Sequence, residues 1–94
     1  MTATLDRTNT LEVIGGADTH ADTVHVAVVN QLGVPLDDRQ FETTAAGYAA
    51  AVAFLGSFGV PVAAVGIEGT ASYGAGLATA CAGAGLKVLE VNRP

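Results

Sequence analysis

The sequence predicts an α/β fold, a mixed sheet of five strands with two helices in the order β-β-β-α-β-α-β. Three observations predict it. Half of the 94 residues are hydrophobic, 14% are charged and 5% aromatic, the composition of one globular domain, which excludes a disordered or low-complexity chain. A β-branched run at Thr23 to Asn30 is followed by the turn pair Leu32-Gly33, which marks a hairpin. After Phe41 the apolar period lengthens to that of a helix, and at Val62 it shortens again. Eighteen alanines and 12 glycines make the apolar fraction small-sided, so elements approach closely while each residue buries little area. A chain of this length buries about 60 to 65% of its unfolded surface, enough for one light core.

Glu12 to Asp18 holds Val13, Ile14, Gly15, Gly16 and Ala17, too few residues for a helix, and reads as a buried first strand ending at Asp18. Thr23 to Asn30 is the second. Val34 to Thr43 continues the meander as the third, with Leu36, Asp38, Gln40 and Glu42 on one face. Thr43 or Thr44 caps the first helix, whose stripe is Tyr48, Val52 and Leu55 and which stops near Gly56 to Gly59. Val62 to Glu68 is a short apolar run behind Pro61 and reads as a central parallel strand covered on both faces. Gly69-Thr70 turns the chain. Ser72 is then placed to cap a second helix with the stripe Tyr73, Leu77, Cys81 and Ala84, closed by Gly85. Lys87 to Val91 is the last strand. No internal repeat or second domain is visible; residues 1–11 read as a flexible N-terminus and 12–94 as one domain.

Arg7, Arg39, Lys87 and Arg93 stand against nine acidic residues, a net charge of −5. That sign opposes self-sufficient binding to a phosphate backbone. The lone Cys81 excludes an internal disulfide and suits a reducing cytoplasm. Met1 to Thr10 lacks the basic start and apolar run of a signal peptide, so a cytoplasmic location is expected. Thr43 to Ile67 carries no charge, yet it is broken by Gly56, Gly59 and Pro61 and bordered by Glu42 and Glu68, so no membrane association is expected.

Asp18 and Glu68 each end a buried strand in a stretch where charge is scarce. Sites in open sheets with parallel strands form outside the carboxyl ends of those strands. If the first and fourth strands are neighbours, about 4.8 Å apart, both carboxylates project into one crevice. Like charges that close repel and call for a cation. Oxygen ligands suit Mg²⁺ or Mn²⁺, and a metal pair about 4 Å apart can clamp a phosphodiester for in-line attack. The plainer reading is that both acids are polar strand ends at the water boundary.

Gly16-Ala17-Asp18-Thr19-His20-Ala21-Asp22-Thr23-Val24-His25-Val26-Ala27-Val28, then Gly66-Ile67-Glu68-Gly69-Thr70-Ala71-Ser72-Tyr73-Gly74 and Val88-Leu89-Glu90-Val91-Asn92-Arg93-Pro94, resemble the N-terminal half of the RuvC-like DEDD transposases of the insertion sequence 110 class. The likeness runs from about Val13 to Pro94. It implies a ribonuclease H-like fold with sheet order 3-2-1-4-5, truncated here after the fifth strand. It also implies that Asp18 matches the first acid of the catalytic tetrad and Glu68 the second, both ligating Mg²⁺ for DNA cleavage and rejoining. The family's two further aspartates and its C-terminal domain with a serine have no match, so the resemblance implies a fragment without independent activity. DNA, a guide RNA and self-association are the partners it implies. Asp37, Asp38, Glu42 and Glu90 have no catalytic counterpart and read as solvated faces.

His20 follows Asp18 by two and reads as a possible substrate-side residue of the same crevice, or as a polar loop residue. Thr70, beside Glu68, is the other substrate-side candidate; Ser72 reads equally as an anion contact or a cap. Strand alternation sets Asp22 and His25 on opposite faces, against a zinc cluster of His20, Asp22 and His25. Tyr48, Val52, Leu55, Phe58, Tyr73 and Leu77 read as core. Two other roles fit the pattern less directly. One is a non-catalytic module docking on itself or on a full-length transposase. The other is a nucleotide-binding piece of the sugar kinase and actin superfamily, whose Asp-x-Gly is replaced by Asp18-Thr19-His20 and whose second phosphate loop is lacking.

Overall fold

The computed structural model describes residues 9–92. The strands are β1 (Val13–Thr19), β2 (Thr23–Asn30), β3 (Pro35–Glu42), β4 (Val62–Glu68) and β5 (Val88–Val91), and the helices are α1 (Ala45–Leu55) and α2 (Ala75–Gly83). A 3-10 turn, Gly56–Phe58, follows α1. The five strands form one sheet in the order β3-β2-β1-β4-β5. β2 lies antiparallel to β1 and β3, while β4 is parallel to β1 and β5. The expected mixed α/β sheet and its strand order are both present. Residues 1–8 of the expected flexible N-terminus lie outside the described residues; beyond them, Gln31 Oε1 accepts the Leu11 N–H at 3.0 Å.

β2 and β4 span the expected residues. Asn30 ends β2 as a fully buried side chain whose Oδ1 accepts the N–H groups of Leu32 and Val34 at 2.9 and 3.0 Å. That clasp closes the hairpin, with Gly33 at φ 82°. β1 begins one residue later than expected and runs one further, because Thr19 still pairs with Val24. β3 is shorter at both ends than expected. Thr43 leaves the ladder to give its hydroxyl to the Ala21 carbonyl at 2.8 Å.

Core side chains come from one face of each strand. Val13 and Ala17 of β1, Val24, Val26 and Val28 of β2, and Val65 and Ile67 of β4 pack against Ala51, Phe54 and Leu55 of α1 and Leu77 and Cys81 of α2. Thr44 caps α1, its hydroxyl accepting the Gly47 N–H at 3.0 Å. Tyr48, Val52 and Phe58 are half-buried against the core, so the helix-one stripe packs as expected.

Four expectations are corrected. Leu36 does not share a face with Asp38, Gln40 and Glu42: a register shift between Val28 and Val29 skips it, and Leu36 turns to the core. Tyr73 is 59% exposed because residues 69–74 form turns ahead of α2. Ser72 does not cap α2, which starts after Gly74 without a side-chain cap; the Ser72 hydroxyl donates to the Gly69 carbonyl at 3.3 Å. β4 is covered on one face only, since the Leu55 and Leu77 side chains of both helices lie on the side of Val65 and Ile67. No helix among the described residues is long and apolar enough to cross a membrane.

Candidate metal centre

The chain runs outward from β1 through β2 to β3, then returns through α1 to lay β4 on the opposite side of β1. The β1/β4 boundary is therefore the place where the chain changes its direction across the sheet, the usual position of a site in an open α/β sheet. Gly15 pairs with Val65, Gly16 with Gly66 and Ala17 with Ile67. The residues that follow are Asp18 and Glu68.

Strand alternation then sets the faces. Val13, Gly15 and Ala17 are buried towards the helices, as are Val65 and Ile67. Asp18 and Glu68 have the opposite parity and stand, half-buried, on the helix-free side. The backbones are tied at this level: the Thr19 hydroxyl donates to the Glu68 carbonyl at 3.0 Å. Gly69 turns the chain at φ 65°. Gly74 packs on the same carbonyl so closely that a β-carbon there would overlap it. Two tertiary contacts thus hold the backbone of Glu68.

His20 is brought to the pair, its Nε2 lying 3.3 Å from Asp18 Oδ2. Thr70 is not: its hydroxyl donates to Glu90 Oε1 at 2.6 Å. On the helix-free side the cross-strand partner of Asp18 is His25, which pairs in turn with Gln40. His25 Nε2 lies 3.0 Å from Asp38 Oδ1. Sequence reasoning missed this His25–Asp38 pair and the Thr19 contact. The signal for the first was the shared strand parity of His25 and Asp38; for the second there was none, since it crosses 49 positions.

Asp18 and Glu68 are an oxygen donor set of the kind hard divalent cations take. His20 lies against Asp18, and among the described residues no group of three or more His, Cys, Asp or Glu is arranged to hold a metal ion. Two carboxylates alone do not complete the coordination shell of a divalent cation.

The sequence profile of the DEDD transposases of the insertion sequence 110 class, described as Transposase, matches residues 15–94. The chain belongs to this transposase family. The match takes in both strand-end acids of the transposase chain and the whole of its sheet from Gly15 onward. No curated protein matches the sequence. Among solved structures, ethanolamine utilization protein EutJ from Carboxydothermus hydrogenoformans matches with a TM-score of 0.50 and 18% identity, over 83% of this chain. The transposase chain spans 35% of the length of that structure. At this identity the likeness concerns the architecture of the sheet alone.

Proposed function

We propose that this chain is a ribonuclease H-like part of a DNA transposase and carries two of the four carboxylates of its metal centre, Asp18 as the first acid and Glu68 as the second. The observation that carries the reading is their position directly after the paired residues Ala17 and Ile67, on one face of adjacent parallel strands. Membership of the transposase family supports the substrate class, the DNA of an insertion sequence, and the reaction class, strand cleavage and rejoining. A guide RNA and a multimeric assembly belong to the same proposal.

Asp18 and Glu68 would hold Mg²⁺ or Mn²⁺, which when bound offsets the charge of a phosphodiester. The chain's own residues position the acids. Thr19 and Gly74 fix the Glu68 backbone, and His20 lies where it orients the Asp18 carboxylate. His20 also stands on the solvent side of the pair as a substrate-side residue. Thr70 holds Glu90 and so shapes the loop beside Glu68; its substrate role is confined to that loop. Both acids are half-buried on the helix-free face, where a polymeric substrate can reach them.

Titration of the ¹⁵N-labelled chain with Mn²⁺ tests the reading. Paramagnetic broadening centred on Asp18 and Glu68 together, abolished by Asp18→Asn, is expected. Broadening at only one of them, or centred on Asp37, Asp38 or Glu90, would overturn the shared site.

A further inference from the structure

We propose, on the reading of Asp18 and Glu68 as a DNA site, that Tyr73 is a stacking platform for an unpaired nucleobase of the strand whose phosphodiester the acid pair receives.

Local pattern alone would bury this ring. Tyr73 and Leu77 are four residues apart, and a helix beginning at Ser72 would lay both against the sheet. The loop prevents it. The Gly69 carbonyl accepts the N–H groups of Ser72 and Gly74 at 2.8 and 2.7 Å, and the Ser72 carbonyl accepts that of Ala75 at 3.1 Å. A β-carbon at Gly74 would overlap the Glu68 carbonyl and crowd the Gly69 carbonyl and the Ile67 side chain. α2 therefore starts at Ala75, which leaves Leu77 fully buried and Tyr73 59% exposed. The ring stands apart from the aromatic cluster that Phe54 forms with Phe41 and Phe58. A tyrosine turned out of the core by a hydrogen-bonded loop is a local rule broken where the fold itself gains nothing, the mark of a functional position.

Position and charge select the occupant. Residues 69–74 form the loop outside the carboxyl end of β4, where open α/β sheets take their ligands. Gly74 touches the Glu68 carbonyl, and Tyr73 is one Cα step, about 3.8 Å, from Gly74. From Gly69 to Leu86 the chain carries no charged side chain. Glu90, which reaches this loop from β5, is held by the Thr70 hydroxyl. Among the described residues Arg39 lies over the Phe54 ring and Lys87 precedes β5 at its amino end, so neither basic group serves this loop. Contact with a polyanion is therefore non-ionic here. Stacking on a base is such a contact, and it tolerates any sequence because every base has a π-face. A base inside a duplex has both faces covered, so the occupant is an unpaired base beside the phosphodiester.

The test uses the chain with ¹³C-labelled tyrosine rings, Mg²⁺, and two probes, a short oligodeoxyadenylate and an abasic strand with the same number of phosphates. The chain has two tyrosines, so Tyr48, half-buried against the core, is the internal reference. The adenylate strand is expected to move the Tyr73 ring protons upfield and leave those of Tyr48 in place; the abasic strand should move neither. Tyr73→Leu should weaken binding of the adenylate strand about tenfold and leave that of the abasic strand as before. Tyr73→Phe should keep the native affinity. Mn²⁺ broadening at Asp18 and Glu68 should be the same in Tyr73→Leu as in the native chain. Equal affinity for the two strands, undiminished affinity in Tyr73→Leu, or no binding of the adenylate strand overturns the proposal. So does an upfield shift of Tyr73 on concentrating the chain alone, which would make the ring a contact between copies. Native Mn²⁺ broadening at both acids beside any of these results places the failure at Tyr73; loss of that broadening with base stacking intact places it at the acid pair.

Discussion

The hydroxyl of Thr19 donates to the carbonyl oxygen of Glu68 at 3.0 Å, joining the ends of two strands 49 positions apart. Thr19→Val keeps a β-branched side chain and removes only this donor. The variant is expected to lose about 1 kcal/mol of stability, read as a lower urea midpoint at unchanged slope. An unchanged midpoint would mean that the contact does nothing for the β1/β4 junction.

Gly74 also lies against that carbonyl. Gly74→Ala forces the turn or the strand end to move, at an expected cost of about 1 to 3 kcal/mol. Because the displaced atom belongs to Glu68, the amide shifts of Glu68 and Gly69 should change more than those of Leu77 or Cys81. Changes spread evenly through the core would contradict this.

Thr44 is the sole side-chain cap of α1, accepting the Gly47 N–H. Thr44→Ala should cost about 1 kcal/mol, and Thr44→Ser very little. Equal losses in the two variants would show that the methyl group, and not the hydroxyl, matters.

Burial pushes the Cys81 thiol above its ordinary value of 9.0. The folded state then holds the proton more tightly than the unfolded state. The resulting stability is whole below the unfolded thiol's pKa and is lost as pH rises from there through the folded value. Cys81→Ala should remove that alkaline decline. In the native chain at neutral pH, a thiol reagent should label Cys81 only as fast as the core opens.

Much of this arrangement was legible because local pattern and tertiary context agree. Thr23 to Asn30 and Val62 to Glu68 are β-branched or apolar runs bounded by turn residues, and both strands occupy those residues. Asp18 and Glu68 were legible as strand ends for the same reason. Other features depend on partners that a linear pattern does not display. The turns before α2 are fixed by Gly74 packing on Glu68, so Ser72 lost its capping role and Tyr73 its place in the core. Leu36 faces inward because a register shift with β2 skips it, and alternation along β3 alone cannot reveal that. The pairing of His25 with Asp38 needed the β2/β3 register before parity could place them together.

The pairing registers also order events in time. The β2/β3 hairpin closes through the local clasp of Asn30 on Leu32 and Val34, a loop of a few residues. The β1/β4 ladder joins residues about 50 apart and must wait for the intervening helix. A chain emerging from the ribosome presents β1, β2 and β3 before Glu68 has been made. The acid pair comes into being only when Val62 to Glu68 has been synthesised and has found β1.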